Sequence, residues 1–160
     1  MKLFYKTILG VALYCLFMTG VAWAVEHGTA AQAEAMAHKA AAFVKVNGIE
    51  KSVEEFTNGT TFKDRDLYVA FAGLEGVMLG HGGNPKLVGK NLVGLKDPDG
   101  QLFYQKLLDL AKTKGKGWSE PYKFLNPVSK KIESKVIYVE RVDNNWVGVG
   151  VYKDWCNPFA

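Results

Sequence analysis

Hydrophobic and polar positions along this 160-residue chain follow three successive patterns. The first is an apolar run from Ile8 to Val21, set behind Lys2 and Lys6 and followed by Ala22-Trp23-Ala24. Basic start, apolar middle and small-x-small site are the parts of a secretory signal peptide. Cleavage after Ala24 would leave residues 25–160 as a domain exported to the bacterial periplasm. The other reading is an uncleaved anchor, because the run approaches the roughly 20 residues that span a bilayer.

The second pattern is helical. Ala33, Met36, Ala37, Ala40, Phe43 and Val44 recur at spacings of three and four and form one apolar stripe. Thr29 can cap this helix and Asn47-Gly48 can stop it. A shorter helix from Ile49 to Phe56 follows, closed by Asn58-Gly59. The many alanines make a slim rod that can lie close against another surface.

The period then falls to two. Leu67 to Ala72 and Val77 to Leu79 flank the turn Gly73-Leu74-Glu75-Gly76 and predict a β-hairpin. Glycines 82, 83 and 89 with Asn84 and Pro85 mark a loop. Asp97-Pro98-Asp99-Gly100 is expected to open a helix whose buried face is Phe103, Leu107 and Leu110 or Ala111. Three strands complete the chain: Trp118 to Phe124, Ile132 to Val142, and Trp146 to Tyr152. In the last, Trp146, Gly148 and Gly150 share one face and Val147, Val149 and Val151 the other. The glycines admit a close neighbour on their face. Helix, helix, hairpin, helix and three antiparallel strands make an α+β layer architecture. Its five-stranded sheet has one face on the N-terminal helices and the other under the loops and middle helix.

Composition narrows the function. Without Lys2 and Lys6 the formal charge of +4 falls to +2, a mixed surface that does not suit nucleic acid. Cys15 leaves with the signal, so Cys156 has no internal disulfide partner and the fold rests on its apolar core. Cys156 is then a tail residue or the site of an intermolecular disulfide. His27 and His38 would stand about 16 Å apart along one helix, too far to share a metal ion. No nucleophile elbow, glycine-rich phosphate loop, zinc helix or haem attachment site is present. These readings predict no enzyme, no cofactor and no metal.

The ordered set of strings Leu74-Glu75-Gly76-Val77-Met78-Leu79-Gly80-His81-Gly82, Asn84-Pro85-Lys86-Leu87-Val88-Gly89-Lys90-Asn91-Leu92, Lys96-Asp97-Pro98-Asp99-Gly100, Lys135-Val136-Ile137-Tyr138-Val139 and Val147-Gly148-Val149-Gly150-Val151-Tyr152 resembles the single Cache domain family of extracytoplasmic sensors. The resemblance runs from about Ala30 to Lys153. It implies a PAS-like antiparallel sheet with a long N-terminal helix. It also implies a ligand pocket on the sheet face, closed by the loop and helix between the hairpin and the later strands. Small metabolites, often short carboxylates, are the ligands it implies. Members commonly signal to a kinase or chemoreceptor through a membrane helix, whereas here only seven residues follow Lys153. A separate membrane receptor or kinase would then carry the signal.

A carboxylate in an apolar pocket needs converging donors. The resemblance places His81 at the pocket mouth and suggests that both Lys135 and Tyr138 reach the pocket. Plain alternation sends one of those two to the other face unless a bulge intervenes. Trp118, Tyr122 and Tyr68 are aromatic residues with polar handles, the type that lines ligand sites and equally the type that fills cores. Tyr122 shares parity with Trp118. Arg65, between Asp64 and Asp66, reads as a solvated surface residue. The expected function is small-molecule binding, probed at His81, Lys135, Tyr138, Tyr122, Trp118 and Tyr68. The alternative is an interaction module whose pocket is filled by its own side chains. Under either, the alanine-rich helix is a surface for homodimer formation or for docking.

Overall fold

A computed structural model describes residues 27–153, so the expected signal segment and Cys156 lie outside the described residues. Helix α1 (Ala30–Thr57) begins with a reciprocal cap in which Thr29 Oγ1 accepts from the Gln32 amide and Gln32 Oε1 accepts from the Thr29 amide. The two expected helices meet at Gly48, which leaves helical geometry at φ 78° and ψ 176°, a conformation that glycine adopts without a Cβ clash. Ala33, Ala37, Ala40 and Ala41 are buried along one side of α1, so its backbone lies close to the sheet.

The strands are β1 (Lys63–Asp64), β2 (Leu67–Gly73), β3 (Met78–His81), β4 (Lys116–Trp118), β5 (Tyr122–Leu125), β6 (Ile132–Val142) and β7 (Asn145–Lys153). All pairings are antiparallel. The seven strands occupy five lanes: β1 and β3 share the outer edge of β2, then come β7 and β6, and β4 and β5 share the outer edge of β6. The five expected strands are thus five lanes, with both edge lanes divided. Helix α2 (Phe103–Thr113) and the loop from Gly82 to Leu102 cover the face opposite α1.

Alternation sorts the strand residues into two cores. Leu67, Val69 and Phe71 of β2, Val136, Tyr138 and Val142 of β6, and Val147, Val149 and Val151 of β7 pack with α1. Ala70, Ala72, Ile137, Val139 and Trp146 pack with Phe103, Tyr104, Leu107, Leu108 and Ala111 of α2. The face assignment expected for β7 therefore holds. Its glycines are occupied by the protein itself: a Cβ on Gly148 would meet Ile137 Cδ1 at 2.7 Å, and one on Gly150 would meet Lys135 Cε at 2.1 Å.

Two expectations need correction. Asp97-Pro98-Asp99-Gly100 opens no helix; α2 starts at Phe103. The Asp97 carboxylate instead accepts from the amides of Asp99 and Gln101, making a side-chain-capped turn that Gly100 completes at φ 82°. The strand expected from Trp118 to Phe124 is broken at Ser119-Glu120-Pro121. Trp118 opposes Tyr138 while Tyr122 opposes Lys135, four steps along one strand against three along the other. That one extra residue reverses the faces between β4 and β5.

The N-terminus of α1 is tied to the sheet through fully buried Asp66, which accepts from His27 Nδ1 at 2.6 Å and from the Gly28 amide at 2.8 Å. Arg65 is not merely solvated: it donates to the His27 carbonyl and to Gln32 Oε1. Replacing Asp66 by alanine strands a buried amide, so Asp66→Ala should lower stability by about 2 kcal/mol or more. A fall of several degrees in Tm, measured calorimetrically, is the expected result.

Candidate functional site

Between the sheet and its cover lies a cavity whose polar lining consists of His81, Tyr104, Tyr122, Lys135 and Trp146. Leu87, Leu92 and Leu95 reach it from the loop, and Phe103 and Leu107 from α2. Its free volume is about 20 Å³, room for about one water molecule. No Asp or Glu is among its lining residues.

Lys135 is the centre of the site. It is buried on β6, and its stem crosses Gly150 on the neighbouring strand. Its Nζ donates to Tyr68 Oη at 2.6 Å and to Tyr152 Oη at 3.3 Å. The amine also lies over the rings of Tyr68, Tyr152 and Phe124, at 4.2, 4.7 and 5.2 Å from their centroids. No ion pair engages it among the described residues. Burial pulls its pKa from 10.5 down to about 7, against a smaller upward pull from Asp66. Tyr152 in turn donates to the Leu125 carbonyl at 3.0 Å, which orients the phenol pair.

His81 ends β3 beneath the cover. Its Nδ1 accepts from the Asn84 amide at 2.8 Å, which leaves the proton of the neutral ring on Nε2. Burial, and then the nearby Lys135, lower its pKa from 6.5 to about 3, so the ring is neutral at physiological pH. Tyr122 opposes Lys135 across β5 and β6 and stacks on Phe103 with centroids 4.4 Å apart. Burial raises the Tyr68 and Tyr122 phenols above 10, so both stay protonated. Tyr104 Oη and Trp146 Nε1 are buried and make no hydrogen bond among the described residues. Five donor side chains therefore surround a space free of carboxylates.

The structure brings His81, Lys135, Tyr68 and Tyr122 together. Tyr138 and Trp118 do not join them. No bulge interrupts β6, so Tyr138, three residues from Lys135, faces α1. Trp118 opposes Tyr138 in the register and packs with it at 5.4 Å between centroids, on that same side. Tyr152, Tyr104 and Trp146 were absent from the sequence-based set. The shared parity of Trp146, Gly148, Gly150 and Tyr152 was a usable signal for two of them, whereas nothing in the pattern singled out Tyr104. Among the described residues no group of three or more His, Cys, Asp or Glu could hold a metal ion. His27 and His38 serve separate ion pairs, with Asp66 and Glu140 respectively.

The fold has counterparts among known proteins. The family model of Single Cache domain 2 matches residues 17–157. The chain belongs to that family. Its fold matches the crystal structure of a methyl-accepting chemotaxis protein from Vibrio parahaemolyticus at 23% identity and a TM-score of 0.66, covering 78% of this chain and 88% of the other. A Cache chemosensory domain whose structure accounts for carboxylic acid recognition matches at 24% identity and TM-score 0.61, over 76% and 86% of the two chains. The periplasmic sensor domain of a chemotaxis protein matches at 22% identity and TM-score 0.61, over 96% and 100%. No curated protein matches. Cache domains are extracytoplasmic small-molecule sensors, and no described helix of this one is long and apolar enough to cross a membrane.

The buried amine of this Cache domain has a consequence for stability. Above pH 7 the folded Lys135 is neutral while the unfolded chain still binds that proton up to 10.5. The unfolded state then holds more protons, so the Lys135 contribution makes stability rise with pH. His81, lowered from 6.5 to about 3, acts with the same sign at lower pH: acidification through that window favours unfolding. Denaturant titrations from about pH 7 to about pH 9.5, below tyrosine ionisation, should show a positive slope that Lys135→Met reduces.

Proposed function

We propose that this Cache domain is a periplasmic receptor for a small organic carboxylate, which it binds without chemical conversion. The observation that carries the reading is the union of a buried lysine lacking an acidic partner with two orphaned donors, Tyr104 Oη and Trp146 Nε1, around one cavity. Buried polar groups in native proteins are almost always satisfied, and orphaned donors converging on a cavity point to an acceptor that arrives from outside. A carboxylate supplies about four acceptor positions and the negative charge that Lys135 lacks. Its arrival favours the ammonium form of Lys135, because an opposite charge at short range raises a lysine pKa.

In this reading the carboxylate sits on Lys135, with His81 Nε2, Tyr122, Tyr104 and Trp146 as further donors and Tyr68 and Tyr152 holding the amine from behind. The carboxylic acid recognition by a Cache relative of the same fold supports the ligand class. Bound ligand would be reported through a separate membrane receptor or kinase, with the outer face of α1 as the surface for pairing or docking.

The interaction-module alternative has one observation in its favour: the cavity is only about 20 Å³ because leucines from the loop and Phe103 fill it. A thermal-shift screen of organic acids, amino acids and amines separates the two. A ligand at a hundredfold excess over Kd adds about 2.7 kcal/mol, a rise of several degrees for a domain of this size. The receptor reading predicts such a rise with carboxylates, and its loss in Lys135→Met while the unliganded Tm stays equal or climbs. A response to none of these compounds, in protein refolded to remove any bound molecule, would favour the interaction module.

A further inference from the structure

A second space adjoins the cavity. It is a groove of about 170 Å³ open to solvent, with Leu95, Pro98, Phe103, Phe124, Leu125 and Ile132 as its apolar lining. Leu95, Phe103 and Phe124 line both spaces, so a partition one side chain thick divides the donor-lined cavity from the groove. Leu125 and Ile132, paired across β5 and β6, are 49% and 60% exposed and belong to neither core. The charged groups of the groove are already engaged: Lys123 with Asp99, and Asp97 with the amides of Asp99, Gln101 and Lys123. Only Lys96 stands at its rim without an ion pair among the described residues.

We infer that the groove holds the tail of the molecule whose head occupies the inner cavity, so that the ligand is an amphiphilic monocarboxylate. This rests on the carboxylate reading of the inner site. The head meets Lys135 and the orphaned donors. The tail passes where the Phe103 and Phe124 rings stand and lies along Leu125 and Ile132. At roughly 30 Å³ for a group the size of a water molecule or a methylene, the groove takes a tail of about five carbons. A second carboxylate or a hydroxyl on that tail finds no free donor along the wall except Lys96 at the rim, which sets the ligand apart from dicarboxylates and hydroxy acids.

The test is a calorimetric titration of the purified protein with the straight-chain acids from acetate to octanoate. Burying each methylene should tighten binding about three- to fourfold, with the gain levelling off once the tail exceeds the groove. In Ile132→Asp, at the more exposed of the two positions, the gain with length should shrink while acetate and propionate bind as in the parent. Short acids that bind with no gain in the parent would overturn the tail assignment and leave the receptor reading standing. A gain that survives undiminished in Ile132→Asp overturns it as well, because the tail then lies elsewhere. Acids of no length binding would remove the inner site itself, and the tail assignment with it.

Discussion

A lysine amine withdrawn from water must be compensated, and the arrangement around Lys135 shows what the pocket face provides instead of a carboxylate. Two phenol oxygens accept from it, three aromatic ring faces surround it, and a buried Asp66 acts from beyond hydrogen-bonding range. Each provision depends on a backbone decision elsewhere. Gly150 leaves the gap through which the lysine stem passes, since a Cβ there would stand 2.1 Å from Cε. The unbroken β6 ladder sets Lys135 against Tyr152, and the Leu125 carbonyl at the end of β5 holds the Tyr152 proton. Taking the charge out of water stays costly, which is why the amine titrates near neutrality.

Asp97 has a comparable role for the cover. Burial alone would raise its pKa. The hydrogen bonds from Lys123, Gln101 and Asp99 outweigh that and hold the carboxyl below 3.8. The Lys123 amide belongs to β5, whereas Asp99 and Gln101 belong to the segment leading into α2, so one ionised side chain joins the base of the cover to the sheet edge. Between this latch and the backbone contacts of residues 89–92 with Gly76, Val77 and Met78 at the other end, the loop carries Leu95 over the cavity. A cover fixed at its two ends and packed by Leu95 between them is the part of the site that can open at least cost, because apolar contacts are individually weak and non-directional.

Where repetition carried the information, the fold was legible in the sequence. The α1 stripe, the Gly48 break, the hairpin and the bounds of β6 follow from spacings of 3.6 and two, and the structure keeps them because burial on both faces of β2, β6 and β7 leaves no freedom to slip register. Misreadings arose where side chains took over backbone work. Asp97 looked like a helix opener because an acid near a helix start is favourable, yet its carboxylate satisfies a turn of its own. Tyr122 appeared to share a face with Trp118 because counting parity assumes an unbroken strand. Ser119 undoes that assumption: its amide donates to the Ile137 carbonyl while its Oγ accepts from the Ile137 amide, so one residue absorbs the extra step. The same register sends Tyr138 to α1 and Lys135 to the cavity.

The site also has a mechanical consequence that follows from who holds the amine. Tyr68 lies on β2, Tyr152 on β7 and Leu125 on β5, so the hydrogen bonds centred on Lys135 bind four strands when β6 is included. The ammonium form of Lys135 carries three protons, of which the phenols accept two and an arriving acceptor takes the third, and the bond of 3.3 Å to Tyr152 is the longer and weaker of the two. Loosening it frees the side chain of the residue that precedes Lys153, where β7 ends. The helix side has no such slack: Val147, Val149 and Val151 are locked against α1 in a close-packed core. The cavity side of the sheet thus rests on hydrogen-bonded groups that have alternative partners, whereas the α1 side rests on packed valines that have none.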